Sequence, residues 1–259
     1  MTSPDAGDLR TRCELLRSLH RPGAPLLLPN AWDVASARAV VAAGYPVVAT
    51  TSWGVAATLG HEDHAHAPAD EMLGAAARIA ADVEVPVTVD AEAGYDMDPA
   101  DFVEVLRGGG LAGCNLEDTD HATGGLRDSD EQAVWLRGVR EAASASDFGL
   151  VVNARVDVFF EPWLAGDEDQ AALIPEAVRR ANAYLDAGAD CVYPIVLWER
   201  HALQRFIADV PGAVNAVAVP QAPSLEELAE LGVARVSWGP ALFRETMACF
   251  EDRLASLRG

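Results

Sequence analysis

Acidic residues stand at the ends of two β-rich runs that follow each other along the chain. Asp90 ends the first run with Glu92 two residues beyond it, and Glu117 directly follows the second run. Converging carboxylates repel one another unless a cation lies between them, and oxygen-only ligands favour a hard divalent ion. These three acids therefore predict a Mg²⁺ site, with Mn²⁺ as the other suitable ion. The alternative is that all three are solvated loop acids of an acidic protein.

Polar residues also end the other β-rich runs, and these are Asn30, Ser52, Asn153, Arg155, Tyr193 and Asn215. Successive side chains of a strand point to opposite faces. The inward residues are therefore predicted in pairs: Thr88 with Asp90, Asn115 with Glu117, and Asn153 with Arg155. The inward set is polar and the outward set apolar, and Arg155 is the cation opposite the three acids.

Eight β-rich runs alternate with helical patterns and must position these residues. The predicted strands span 25–29, 46–51, 86–90, 112–116, 149–154, 190–195, 213–218 and 234–237. The helical patterns lie near 33–43, 68–82, 99–108, 130–146, 171–187, 199–208, 224–231 and 240–257. Eight such units predict one α/β domain over residues 1–259, a (β/α)8 barrel of the TIM type with catalytic groups at the carboxyl ends of its strands. A doubly wound open sheet is the alternative, and it is disfavoured because no GxGxxG turn follows the first strand.

Capping residues support these helix boundaries. The start signals are Asp98-Pro99, Ser129 with Gln132, and Ser224 with Glu227. The end signals are Gly44, Gly188 and Gly232. The N-terminal segment is charged throughout, so it predicts a leading helix rather than a signal peptide. Since no apolar run is long enough to span a membrane, we expect a cytoplasmic protein.

Composition excludes several classes of function. The formal net charge is −21, with 40 acidic against 19 basic residues, which disfavours binding to nucleic acid or an anionic membrane. All 19 basic residues are arginines. Without lysine the chain cannot form a Schiff base, bind pyridoxal phosphate through an amine or build a P-loop. The four dispersed cysteines (Cys13, Cys114, Cys191 and Cys249) predict buried, reduced thiols.

Three histidines cluster in a short segment before the second helical pattern. His61, His64 and His66 could bind a transition metal, but they lack the i, i+4 spacing of a helical zinc motif. We interpret the segment as a polar loop over the barrel mouth, with Asp63 reaching the substrate region.

Several ordered motifs together resemble the isocitrate lyase/phosphoenolpyruvate mutase superfamily. They are LLLPNAWDVASARAVVAAGYPVVATTS, VPVTVDAEAGY, AGCNLEDT, VVNARVD and GVARVSWGPALFR, and the resemblance covers nearly the whole chain. The resemblance implies that Asp90, Glu92 and Glu117 are metal-binding acids and that Arg155 binds substrate. It also implies a carboxylate site at Ser52 with the Trp53-Gly54 backbone, and it places Asp63 near a further active-site aspartate.

The loop after the fourth strand departs from the superfamily pattern. The isocitrate and methylisocitrate lyases have a catalytic cysteine there, and the phosphonate mutases have lysine and asparagine. This chain has DTDHATGGLRDS at 118–129, with none of the three. Gly124-Gly125 still predicts a movable lid, and His121 or Asp120 is the candidate acid–base group.

The resemblance implies a Mg²⁺-dependent lyase that cleaves or forms a C–C bond next to a 2-oxo or 2-hydroxy carboxylate through a stabilised enolate. The expected ligand is a small anionic carboxylate, and the expected assembly is a homodimer or homotetramer that exchanges the C-terminal helix. Tyr95 or Asp63 would handle protons, with Asn153, Tyr193 and Asn215 as further substrate contacts. The alternatives are a C–P hydrolase or mutase acting on phosphonopyruvate-like substrates, and a catalytically weak carboxylate-binding homologue.

Overall fold

A barrel of parallel strands surrounded by helices forms the protein in the computed structural model, which describes residues 6–63, 67–166 and 169–257. The strands are β1 Leu26–Leu28, β2 Asn30–Ala31, β3 Val48–Thr50, β4 Val87–Asp90, β5 Gly113–Glu117, β6 Thr119–Asp120, β7 Gly125–Leu126, β8 Val151–Val156, β9 Cys191–Pro194, β10 Ala213–Val217 and β11 Arg235–Ser237. All pairs are parallel except the β6–β7 hairpin.

The barrel closes through a single interrupted strand. β1 pairs with the last strand, β11, whereas β2 pairs with β3, and only Pro29 separates β1 from β2. Proline lacks the N–H that a continuous ladder needs, so the strand changes partner at this residue. Counted as one strand, β1 and β2 complete the eight-stranded TIM-type barrel predicted from the sequence.

One helix precedes the first strand, one follows the last strand, and the others lie between successive strands of the barrel. The helices are α1 Ala6–Ser18, α2 Val34–Ala42, α3 Ser52–Leu59, α4 Ala69–Asp82, α5 Pro99–Gly108, α6 Ser129–Ala145, α7 Phe160–Leu164, α8 Ile174–Asp186, α9 Arg200–Asp209, α10 Leu225–Glu230 and α11 Ala241–Ser256. A 3₁₀ turn at Ala171–Leu173 leads into α8. The prediction omitted α3, α7 and the β6–β7 hairpin.

Most of the predicted capping signals are confirmed. Pro99 opens α5, Ser224 and Glu227 form a capping box on α10, and the three predicted end glycines have φ angles of 88 to 102°. The start of α6 was predicted wrongly. Asp128, and not Ser129, is its N-cap, because the Asp128 carboxylate accepts from the amides of Asp130 and Glu131.

The leading helix α1 closes the end of the barrel opposite the strand carboxyl ends. Cys13 and Leu16 are fully buried, and Arg17 Nε donates to Asp190 Oδ1 at 2.8 Å. Gly113 on β5 leaves space for this helix. A Cβ atom at Gly113 would lie 2.7 Å from Leu16 Cδ2 and 2.8 Å from the Val151 carbonyl oxygen.

The cysteines follow the prediction with one exception. Cys13, Cys114 and Cys191 are buried free thiols, but Cys249 is exposed because it lies on the outer part of α11.

No helix in the described part of the chain combines the length and apolar character that crossing a membrane requires.

Gly113→Ala should lower the free energy of unfolding by about 2 kcal/mol, because the added methyl group overpacks the contact between α1 and the barrel. Gly108→Ala is the control. A Cβ atom at Gly108 meets nothing within 4 Å, so that change should be neutral or stabilise the protein by up to about 1 kcal/mol. Urea denaturation of both variants measures the difference, and equal stabilities would contradict the close packing at Gly113.

Candidate active site at the carboxyl ends of the strands

Asp90 is held at the end of β4 by the neighbouring strand and helix. Its Oδ2 atom accepts from the Ser52 amide at 3.0 Å, and its own amide donates to Thr50 Oγ1 at 2.9 Å. Burial raises the pKa of Asp90, the nearby charge of Asp63 adds to this effect, and Arg155 and the Ser52 amide oppose it. The structure thus brings Asp90, Ser52, Asp63 and Arg155 into one site.

Glu92 lies in a strained turn that follows Asp90. Glu92 and Tyr95 have φ angles of 47° and 54°, in the left-handed region that non-glycine residues rarely adopt. Gly94 has a φ angle of 85°, and a Cβ atom there would lie 2.5 Å from the Trp135 ring. The Glu92 carbonyl accepts from the Glu117 amide at 2.9 Å. The turn therefore holds Glu92 next to Glu117.

Glu117 is 3% exposed and contacts an arginine and a histidine. One Glu117 oxygen pairs with Arg155 Nη1, and the other lies 2.7 Å from His121 Nε2 in the β6–β7 hairpin. Burial raises the pKa of Glu117, although Arg155 and His121 oppose the shift. Burial disfavours the charged imidazole, but the hydrogen bond with Glu117 and the charges of Glu117 and Glu92 together outweigh it, so the pKa of His121 is raised.

Asp157 holds Arg155 in place. Arg155 Nε and Nη2 donate to the two Asp157 oxygens at 2.7 and 2.8 Å, and Thr119 Oγ1 donates to the same carboxylate. The Asp157 amide donates to Asp118 Oδ1 at 2.8 Å. Asp118 is fully buried and accepts from Arg180 Nη1 at 2.9 Å as well as from the Tyr184 hydroxyl.

The residues predicted from the sequence include neither Asp157 nor the buried groups that hold it in place. The available signal was strand alternation, because Asp157 follows Arg155 by two residues at the end of β8 and so faces the same side. Asp118 precedes the hairpin and faces the opposite way from Glu117. Its partners on α8, Arg180 and Tyr184, are more than 60 residues away in sequence, so spacing alone gave no signal for them.

Carboxylates converge on the hydroxyl of Tyr95. Burial raises the pKa of Tyr95 well above its ordinary value, and the charges of Glu92, Asp90 and Glu117 raise it further. Within the described ranges, no three His, Cys, Asp or Glu side chains already stand in an arrangement that could hold a metal ion. In this structure the carboxylate of Glu117 faces Arg155 and His121.

The predicted substrate residues differ in their access to this site. Asn153 and Asn215 have no exposed surface and hydrogen-bond to each other at 3.2 Å beneath the acids. Tyr193 is 4% exposed, and burial raises its pKa to about 12. The Trp53 ring packs against Phe243 of α11, with ring centroids 5.4 Å apart.

Gly54 and His61 each make close contacts within their own part of the chain. A Cβ atom at Gly54 would lie 2.9 Å from both Thr51 Cγ2 and Trp32 Cβ, so glycine lets α3 pack closely. His61 Nε2 lies 3.1 Å from Glu71 Oε2. The predictions for His64 and His66 lie outside the described residues.

Comparisons with known proteins agree on one family. The family model described as phosphoenolpyruvate phosphomutase matches residues 16–258. The chain is 37% identical over 224 residues to an uncharacterized protein of Mycobacterium tuberculosis, covering 85% of this chain and 80% of the relative. It is 30% identical over 266 residues to a 2-methylisocitrate lyase of Salmonella typhimurium, covering 93% and 86%. A proposed phosphonomutase from Burkholderia cenocepacia J2315 superposes with a TM-score of 0.87 at 38% identity, covering 94% and 99%.

Asp157→Asn should destabilise the protein by about 3 kcal/mol, because it removes the charge that compensates a buried guanidinium. Asp82→Asn is the matched control, since Asp82 also accepts two hydrogen bonds from one arginine, Arg38, but on the surface. Water screens this surface pair, so Asp82→Asn should change the stability of the protein little. Thermal unfolding compares the two variants, and equal losses would contradict a special role for Asp157.

Proposed function

Because this chain belongs to the phosphoenolpyruvate phosphomutase family, within the isocitrate lyase/phosphoenolpyruvate mutase superfamily, we propose that it is a Mg²⁺-dependent carbon–carbon lyase. It would cleave or form a bond next to the carboxylate of a small 2-oxo or 2-hydroxy acid. The observation that carries the proposal is that Asp90, Glu92 and Glu117 all act on the pKa of Tyr95, while Arg155 pairs with Glu117.

The acids fit a hard divalent cation by charge and ligand type. Asp90, Glu92, Glu117 and Asp157 are all carboxylates, and Arg155 pairs with two of them, Glu117 and Asp157. The raised pKa of Asp90 and Glu117, caused first by burial, shows that Arg155 does not fully compensate them. Asp90, Glu92 and Glu117 would hold Mg²⁺, with Mn²⁺ as the substitute. When bound, the ion supplies Lewis-acid stabilisation of negative charge on a substrate oxygen.

Arg155 is the proposed anchor for a substrate carboxylate. A guanidinium has five N–H bonds, and Asp157 and Glu117 accept three of them. The remaining N–H bonds, one on Nη1 and one on Nη2, are those that a ligand can use. The Nε–Nη2 face of Arg155 is taken by Asp157.

His121 is the proposed proton carrier of the lid. It lies in the β6–β7 hairpin with its Nε2 atom 2.7 Å from Glu117, so a proton on Nε2 can be held between the two groups. Asp120 instead stabilises the hairpin turn, because its carboxylate accepts from the Ala122 amide and the Thr123 hydroxyl. Tyr95 and Asp63 are the other proposed proton carriers, since both lie beside the acids.

A C–P hydrolase or mutase is the second candidate function. It is favoured by the 38% identity to the proposed phosphonomutase from Burkholderia cenocepacia. Turnover of phosphonopyruvate with release of inorganic phosphate would support the hydrolase. Cleavage of 2-hydroxy dicarboxylates without phosphate chemistry would support the lyase.

The outer part of α11 is the proposed contact between subunits. Its exposed apolar residues are Met247, Phe250, Leu254 and Leu257, which are 38 to 65% exposed. An apolar face of this kind on a helix that extends beyond the barrel indicates association. We propose a homodimer or homotetramer held together by this helix.

Oxalate, a small dicarboxylate, should bind wild-type protein only in the presence of Mg²⁺, and Asp90→Ala should reduce its affinity at least tenfold because a ligand acid is lost. Isothermal titration calorimetry measures both. Asp82→Ala is the control, since Asp82 lies on the surface and pairs with Arg38. Magnesium-independent binding, or equal binding by Asp90→Ala, would contradict the proposed site. Binding without turnover of any 2-oxo or 2-hydroxy acid would favour a carboxylate-binding homologue.

Phe250→Glu should shift the protein from an oligomer to a monomer, because a charge on the α11 apolar face prevents its burial between subunits. Light scattering after size-exclusion chromatography measures the mass. The control is Glu251→Gln, at an exposed position beside it. A monomeric wild-type protein would contradict the proposed assembly.

A further inference from the structure

One buried arginine in the barrel interior is not used by the proposed reaction. Arg235 of β11 is 1% exposed and lies level with Asn215 of β10. Its Nη2 atom donates to Asn115 Oδ1 at 3.0 Å, while its enclosed Nε and Nη1 atoms have no hydrogen-bond partner among the described residues. Burying a cation with so little pairing is unfavourable. Its location therefore indicates a role beyond packing.

Arg235 determines the orientation of a row of side-chain amides. A guanidinium has donors and no acceptor, so the Asn115 atom that faces it must be the carbonyl oxygen Oδ1. The same oxygen accepts from Asn153 Nδ2 at 2.9 Å, and Asn153 Nδ2 also contacts Asn215 Oδ1 at 3.2 Å. Asn215 Nδ2 in turn donates to Ser237 Oγ at 3.2 Å. One donor-only side chain thus orients three amides.

The accessible end of this row is the NH₂ group of Asn115. Because Oδ1 faces Arg235 and Asn153, Nδ2 points away from them. It makes no hydrogen bond with a described residue, and it is not among the enclosed polar atoms. Asn115 is 8% exposed, whereas Asn153 and Asn215 have no exposure.

Asn115 also lies in the sheet next to two of the proposed metal-binding acids. It pairs with Asp90 across the β4–β5 ladder, and it precedes Glu117 by two residues, so both side chains point into the barrel. Asp90 is thus the neighbour of Asn115 on the adjacent strand, and Glu117 is the next inward-facing residue along β5. A ligand oxygen bound near these acids is within the region that Nδ2 faces.

We propose that Asn115 is a substrate-binding residue whose NH₂ group, oriented by Arg235, donates a hydrogen bond to a negatively charged oxygen of the substrate. This assignment rests on the proposed function, because it needs a carboxylate ligand in the same site. A preorganised donor in a buried site stabilises an oxygen that gains negative charge. Arg235 acts through Asn115 and is a positioning residue.

Two substitutions of Asn115 separate the donor from the packing. Asn115→Asp keeps the volume and the oxygen that accepts from Arg235 and Asn153, while Asn115→Leu removes the NH₂ group without adding charge. We expect both variants to bind oxalate at least tenfold more weakly than wild type in the presence of Mg²⁺, as measured by calorimetry. A loss shared by both variants identifies the missing donor as its cause, and thermal unfolding reports whether each variant folds.

Two substitutions of Arg235 test the orienting role without changing Asn115. Arg235→Lys keeps a side chain with donors only, whereas Arg235→Met lets the Asn115 amide rotate. We expect Arg235→Met to weaken oxalate binding severalfold and Arg235→Lys to recover most of the affinity at similar thermal stability. The two Arg235 variants also test the proposal if the Asn115 variants do not fold.

The outcomes distinguish this assignment from the proposed function. Failure of wild-type protein to bind oxalate with Mg²⁺ would overturn the proposed function and this assignment with it. Wild-type affinity in a folded Asn115→Asp or Asn115→Leu variant would overturn the role of Asn115 alone. Equal affinity of Arg235→Met and Arg235→Lys would overturn the orienting role of Arg235.

Discussion

The buried guanidinium of Arg155, bound by Asp157 and Glu117, is the interaction on which the candidate site depends. Carboxylates at the ends of neighbouring strands lose hydration when they are buried, and their mutual repulsion grows in a medium of low dielectric constant. Arg155 opposes both effects at Asp90 and Glu117, yet the pKa of each remains raised by burial. The incomplete compensation of these two acids by Arg155 is the electrostatic reason for which we propose a cation at this site.

Arg155 is itself fixed by groups on several elements. Asp157 follows β8, Asp118 follows β5, and Arg180 and Tyr184 lie on α8 outside the barrel. The strained turn at Glu92 adds a second constraint, because Gly94 packs directly under Trp135 of α6. Backbone strain of this kind persists only where surrounding contacts maintain it. Side chains of the outer helices α6 and α8 thus help to position the residues of the candidate site.

The sequence predicted the barrel and the acids because both depend on local periodicity. Alternation placed Asp90, Glu117 and Arg155 on the inner face, and the capping signals located most helices. The sequence-based prediction missed α3, because its residues SWGVAATL lack the polar face that marks an amphipathic helix. It also left Asn115 without a role. The orientation of that amide depends on Arg235, which lies 120 residues away, and no local pattern carries that information.

The limits of local sequence patterns also explain why Asn153 and Asn215 were predicted to contact the substrate. Strand alternation gives the face of a residue but not its depth, and these two amides lie wholly below the accessible surface. Asn115 lies in the same row yet keeps one accessible end. Depth in a barrel follows from the tilt and register of all its strands, which become known only when the whole sheet is assembled.

The most direct test of this account concerns Glu117, which faces Arg155 and His121 in the structure and is proposed to bind the metal. Electron paramagnetic resonance of added Mn²⁺, in the presence of oxalate, reports how much of the ion remains free. The account predicts that wild-type protein removes the free signal at one Mn²⁺ per chain and that Glu117→Gln leaves most of it. Equal uptake by the two proteins, or none by the wild type, would contradict it.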